Sequence, residues 1–214
     1  MSAGEDADLI FVNGNIYTVN ERQLHAEAVA VKNERIAFVG SNDDAKKFHA
    51  AQVVDLHGKT VVSGLTDSHR HIFGIGEREM RLNLEGTNTL EDLLAKVKER
   101  AASTERGKWI TAVAGYAMNL VAKNIPKPTE AEREQAFLLG IDREVKLGWC
   151  EIQNAGSDAN DIKIIRKCLD DGKVKLRLIN AVYGPGKDAQ NFLREGSTIN
   201  AYNHHFTQHA IKVR

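Results

Sequence analysis

The sequence predicts an α/β protein, in which a small all-β segment precedes strands and helices that alternate about a parallel sheet. Three observations carry that prediction. Up to about residue 60, short apolar runs are separated by turn residues, with no helical period between them. From Val61 onward, apolar runs of strand length alternate roughly four times with helical stretches. The composition also supports a packed core, with 214 residues, 42% hydrophobic and 27% charged.

Within residues 1–60, Asp8-Leu9-Ile10-Phe11-Val12 is a strand, Asn13-Gly14-Asn15 a turn, and Ile16-Tyr17-Thr18-Val19 a second strand, which together read as a hairpin. Ala26–Val31 and Ile36–Val39 are strands joined by a turn at Lys32–Arg35. Val53–Leu56, a turn at His57-Gly58-Lys59, and Thr60–Val62 complete the set. Strands this short carry little core and pack on something larger.

Residues 61–214 change character. Val61–Thr66 is a short apolar strand. Thr89-Leu90-Glu91-Asp92 starts a helix, with Thr89 as the cap and Leu93, Leu94, Val97 and Ala101 at helical spacing. Trp109–Ala114 is a strand, and Pro128-Thr129-Glu130-Ala131-Glu132 opens a capped helix that runs to about Lys146. Trp149–Gln153 is a strand, Asp161–Asp171 a helix closed by Gly172, and Val174–Val182 a strand. A helix over Lys187–Arg194 and the apolar run Ala210–Val213 follow. A doubly wound sheet and a (β/α)8 barrel both fit this alternation. A complete barrel takes about 250 residues, whereas about 150 follow the small segment.

Charge and cysteine content narrow the functional classes. Lys plus Arg is 29 and Asp plus Glu is 29, which argues against a nucleic-acid or other polyanion binder. No run approaches the 18 or so apolar residues of a membrane span. The acidic start MSAGEDADLIF lacks the basic and apolar regions of a secretory signal. Cys150 and Cys168 make a poor disulfide framework, so a reducing, cytoplasmic setting is expected, with both as small core residues.

The sharpest local feature is Val61-Val62-Ser63-Gly64-Leu65-Thr66-Asp67-Ser68-His69-Arg70-His71, an apolar strand ending in His-x-His. Side chains two apart on a strand share a face. His69 and His71 can therefore meet one metal ion while Arg70 points away. Such sites lie at the C-terminal ends of strands in α/β enzymes, and imidazole suits zinc and related divalent ions. The competing reading is two polar histidines in a loop.

The same stretch, extended back to Asp55-Leu56-His57-Gly58-Lys59, resembles the amidohydrolase superfamily, whose small β segment ends in a DLxGKxVxPGxxDxHxH pattern. Ala7–Thr18 and Ala28–Gly40 resemble that family's opening. Pro128–Gly148, Asn154-Ala155-Gly156 and Ala210–Val213 resemble its YtcJ-like, type 3 branch. The resemblance implies a partial (β/α)8 barrel beside a small N-terminal β-sandwich segment. It further implies one or two divalent metals, zinc foremost, and hydrolysis of an amide-type, non-peptide C–N bond of a small-molecule substrate through metal-activated water. It places His69 and His71 among the metal ligands, and Lys212 at the position of a carboxylated, metal-bridging lysine.

Departures accompany these matches. The family's later histidine ligands and catalytic aspartate have no counterpart up to Arg214, so no general base is assigned. The stretch between Trp109 and Pro128 is shorter than the insertion usual in the branch, and Ala112–Asn119 reads as a junction of two distant parts. Ser63 stands where the family often has Pro, and Thr66 where an aliphatic residue is usual. An open half-barrel leaves unpaired strands. The sequence is therefore a piece of a longer chain, its ordered part, or a short form that pairs as a homo-oligomer. The alternative function is a metal-binding or oligomerising module without turnover. His204, His205 and His209 read as a polar loop, Gly184-Pro185-Gly186 as a turn, and Lys96–Arg100 as the solvated face of a helix.

Overall fold

The computed structural model describes residues 5–113 and 126–213. The chain divides into two units, Met1–Gly64 and Leu65–Arg214.

The first unit holds β1 (Glu5–Val12), β2 (Asn15–Tyr17), β3 (His25–Ala26), β4 (Ala28–Lys32), β5 (Arg35–Gly40), the short helix α1 (Asn42–Ala45), β6 (Phe48–Asp55) and β7 (Thr60–Val61). They form a four-stranded sheet in the order β5-β4-β1-β6 and a three-stranded sheet in the order β3-β2-β7. The hairpin expected between β1 and β2 is not formed. β1 pairs with β4 and β6, while β2 pairs with β3 and β7. Asn13 and Gly14 carry the chain from one sheet to the other. The Asn13 amide donates to Asn42 Oδ1 at 2.9 Å, its Nδ2 to Asp55 Oδ2 at 2.9 Å, and the Gly14 amide to the Glu27 carbonyl at 2.9 Å. A real hairpin joins β4 to β5 through Asn33 and Glu34, at φ of 50° and 61°, the left-handed pair that a type I′ turn requires. The core here is small: Ala7, Ile10, Ala28, Ala30 and Ala45, with Phe38 and Phe48 packed against it.

The second unit begins with β8 (Leu65–Arg70), α2 (Ile72–Met80), β9 (Leu82–Asn83), α3 (Leu90–Ser103) and β10 (Ala112–Val113). It continues with α4 (Glu130–Lys146), β11 (Trp149–Ser157), α5 (Ala159–Asp170), β12 (Arg177–Gly184), α6 (Lys187–Glu195), β13 (Thr198–Asn200), α7 (Ala201–His204) and β14 (Phe206–Val213). The main sheet runs β13-β14-β12-β11-β8. β8, β11, β12 and β14 are parallel, and β13 alone is antiparallel, at one edge. The unit is thus the mixed α/β arrangement that alternating periodicity predicts. The core joins Ile152, Leu178 and Phe206 of the sheet to Ile72, Phe137, Ile164, Ile165 and Cys168 of the helices.

Two helices start where Thr-x-x-acid places them. The Thr89 side chain accepts from the Asp92 amide, and Thr129 forms a full capping box with Glu132. The α3 stripe is less covered than its spacing implies, with Leu90 and Leu94 exposed and Leu93 and Val97 half-buried. α2 has no counterpart in the sequence reading. Its Gly76 and the Gly140 of α4 let the two backbones meet: a Cβ at Gly76 would lie 1.5 Å from the Ala136 carbonyl oxygen, and one at Gly140 2.3 Å from that of Ile72. Of the strand expected over Trp109–Ala114, Ala112–Val113 is strand and Trp109–Thr111 is not, while Ala114, with the rest of the expected junction up to Asn119, lies outside the described residues. Cys168 is fully buried, as expected, but Cys150 is exposed at the start of β11, ahead of the buried stretch that begins at Ile152.

Candidate metal centre

β8 carries His69 one residue before its end, and His71 occupies the N-cap of α2. Asp67 Oδ1 accepts the His69 amide at 2.9 Å and shapes the last turn of the strand. The two imidazoles are exposed, their centroids 5.4 Å apart and their planes at 76°. Two imidazoles sharing a tetrahedral zinc, with Zn–N near 2.0–2.1 Å, have centroids about 5 Å apart. The centroid separation of the pair is close to that of two ligands on one ion.

Arg70 turns the other way. Its Nε lies 2.8 Å from Asp67 Oδ2 and 3.4 Å from Glu144 Oε2 on α4, and its guanidinium stands 5.7 Å over the Trp149 ring. Glu144 is 1% exposed. Burial pushes its carboxyl above the ordinary range, the Arg70 charge pulls it down, and Asp67 pushes it up again.

Beside His71 opens a cleft of about 270 Å³, bordered also by Glu77, Arg133, Asn154, Asp158 and Tyr183. Arg133 reaches Asp161 Oδ1 through Nε at 3.1 Å and Nη2 at 2.5 Å, contacts Glu77, and stacks 4.3 Å over Phe73. Asp158 Oδ1 caps α5 by accepting the amides of Asn160 and Asp161, each at 2.9 Å. Beneath the cleft a buried polar network crosses the sheet. Asn154 Nδ2 donates to Asn180 Oδ1 at 2.8 Å and to Ser157 Oγ at 2.9 Å, Ser157 Oγ donates to Asn180 Oδ1 at 2.9 Å, and Asn180 Nδ2 reaches Gln208 Oε1 at 3.5 Å. The sequence reading missed this network. Its signals were Asn180 inside the apolar run Val174–Val182 and Asn154 in the Asn154-Ala155-Gly156 segment that resembles the type 3 branch.

Lys212 sits half-buried on β14, opposite Tyr183 of β12. Three strand spacings separate β14 from β8, about 14 Å along the sheet. The structure thus brings His69 and His71 together and sets Lys212 apart from them. Among the described residues, no three His, Cys, Asp or Glu side chains converge as a metal site. His204 and His209 are exposed, and His205 Nδ1 lies 3.3 Å from the Leu176 carbonyl oxygen. Among the described residues no helix is long and apolar enough to cross a membrane.

A parallel α/β unit with His-x-His at a strand end has the fold of known metal-dependent hydrolases. An uncharacterized metal-dependent hydrolase from Pyrococcus horikoshii superposes over 94% of this chain and 53% of its own, with a TM-score of 0.71 at 16% identity. Residues 52–138 match the amidohydrolase family. The chain is 30% identical over 168 residues to the exoenzymes regulatory protein AepA of Pectobacterium carotovorum, covering 72% of this chain and 36% of the relative. It is 29% identical over 129 residues to the N-substituted formamide deformylase of Arthrobacter pascens, covering 58% and 24%. It is 30% identical over 104 residues to the putative amidohydrolase YtcJ of Bacillus subtilis, covering 47% and 20%. The chain thus spans about a third or less of the length of these curated relatives.

Proposed function

We propose that this chain supplies the metal-holding strand end of a hydrolase that cleaves an amide-type, non-peptide C–N bond of a small molecule. Its second unit would be the first part of a (β/α)8 barrel. The observation that carries the reading is the approach of the His69 and His71 rings, 5.4 Å between centroids at the end of β8. The match of residues 52–138 to the amidohydrolase family and the likeness to a formamide deformylase support the bond type. Zinc is the first candidate, because neutral imidazole at tetrahedral spacing suits it. A divalent ion bound there supplies Lewis acidity, polarising a carbonyl and lowering the pKa of water.

The chain's own residues do the rest of what can be assigned. His69 and His71 hold the ion, one from the strand and one from the first turn beyond it. Asp67 holds the His69 backbone. The cleft beside His71 admits a small molecule against Asn154, Asp158 and Tyr183. Lys212 is proposed for the family's bridging position; β14 lies three strand spacings from β8, so that role requires the sheet to curl toward a closed barrel.

The test is turnover of a panel of N-acyl and N-formyl amines by the zinc-loaded chain and by a His69→Ala/His71→Ala variant. Hydrolysis lost in the variant supports the proposal. Hydrolysis unchanged by the variant or by a chelator overturns it. Bound metal without hydrolysis leaves a metal-binding module.

A further inference from the structure

α2 begins in an unusual way. Its N-cap is His71, whose side chain makes no capping hydrogen bond. Ser, Thr, Asp or Asn at that position would satisfy one of the orphan amides of the first turn, and their replacement ordinarily weakens a helix. Here the satisfaction comes from another strand. The Ile72 amide, the first of α2, donates to Asn154 Oδ1 at 3.0 Å. Asn154 is 1% exposed on β11.

The orientation of the Asn154 amide follows from its partners. A backbone N–H can only donate, so the oxygen must face Ile72. Nδ2 is then left for Asn180 Oδ1 and Ser157 Oγ, which is where it lies. Asn180 and Ser157 are themselves fully buried. The N-terminus of α2, and His71 with it, is thereby tied to the centre of the sheet by a side chain with no rotational freedom to spare.

We propose that Asn154 is a positioning residue for the metal centre. It satisfies the N1 amide of α2, which an N-cap side chain does not reach, and so fixes the backbone of His71 where its ring stands at the ion's distance from His69. The proposal rests on reading the His pair as metal ligands. It adds a partner that acts on a ligand's backbone instead of its ring nitrogen. Removing partners of metal ligands typically weakens metal affinity 10–100-fold.

The experiment compares Asn154→Ala with Asn180→Ala. Both dismantle the buried network, but only the first frees the Ile72 amide. Zinc affinity is measured by competition with a chromophoric chelator, and exchange of the Ile72 amide by NMR on the metal-free chain. Asn154→Ala is expected to bind zinc about 10–100-fold more weakly and to speed Ile72 exchange. Asn180→Ala is expected to stay within about threefold of the unaltered chain in affinity, even if it melts as early. Should Asn154→Ala fail to fold, Asn154→Leu, closer in volume, provides the same comparison. Equal loss of affinity in the two variants, or unchanged Ile72 exchange in Asn154→Ala, overturns the positioning role. Zinc binding as tight in His69→Ala/His71→Ala as in the unaltered chain, or no zinc uptake at all, overturns the ligand reading instead, and this inference with it.

Discussion

Replacing Gly76 by alanine tests the α2–α4 crossing, which carries the helix that begins at His71. An added Cβ would sit 1.5 Å from the Ala136 carbonyl oxygen and 2.4 Å from its carbon. Ordinary contact begins near 3.4 Å, so the helices would have to part by close to 2 Å. The obstacle is helical backbone, which cannot swing aside as a side chain can. Overpacking costs about 1–3 kcal/mol, and a backbone obstacle puts this site at the upper end. Alanine's better helix propensity returns about 1 kcal/mol, for a net loss of about 2 kcal/mol. Gly74, on the same helix, is the internal control. Its added Cβ would meet only His71 Cβ at 3.7 Å, so Gly74→Ala is expected to be neutral or to gain up to about 1 kcal/mol. Urea unfolding, with the midpoint and slope fitted for each variant, measures both. A Gly76→Ala midpoint at or above that of Gly74→Ala would refute the close-crossing argument.

Two further predictions address the helix cap and the buried carboxyl. Thr129→Ala removes the side-chain half of the α4 capping box, leaving the residue-129 amide on Glu132, and is expected to cost about 1 kcal/mol, read as a lower urea midpoint; an unchanged midpoint contradicts it. Glu144→Gln tests the raised carboxyl on α4. A carboxyl that ionises less readily in the folded than in the unfolded chain penalises folding once the pH exceeds its ordinary value. The penalty grows through the window up to the folded pKa and is constant above it. The stability of Glu144→Gln relative to the unaltered chain is therefore expected to rise as the pH goes from below about 4.5 toward neutrality. A difference that is flat with pH, or that grows on acidification, contradicts it.

Features set by neighbours in the chain were legible, whereas those set by topology were not. Thr89 and Thr129 announce their helices because a cap and its acidic partner lie three residues apart. His69 and His71 were paired from sequence on strand alternation; the strand in fact ends at Arg70 and His71 starts α2, yet the two rings lie 5.4 Å apart. The β1–β2 hairpin failed because Asn13-Gly14 marks a turn without saying which strands it joins, and here the tie to Asp55 sends the chain to a second sheet. α2 was hidden by Gly74 and Gly76, which lower helix propensity; Gly76 is present because another helix lies against it. Asn154, Asn180 and Gln208 come from three strands that only the parallel pairing brings side by side. Nothing near any one of them in sequence tells the network apart from isolated polar residues. Glu144 likewise reads as one more charge on an amphipathic helix until it is seen buried beside Arg70.

The central claim is that His69 and His71 hold one divalent ion between them. Its most direct measurement is the zinc content of the purified chain after equilibration with zinc and removal of the free ion, beside that of His69→Ala/His71→Ala, with circular dichroism to show that both are folded. About one equivalent in the unaltered chain and almost none in the variant is the expected result. Equal zinc in the two proteins, or none in either, would contradict it.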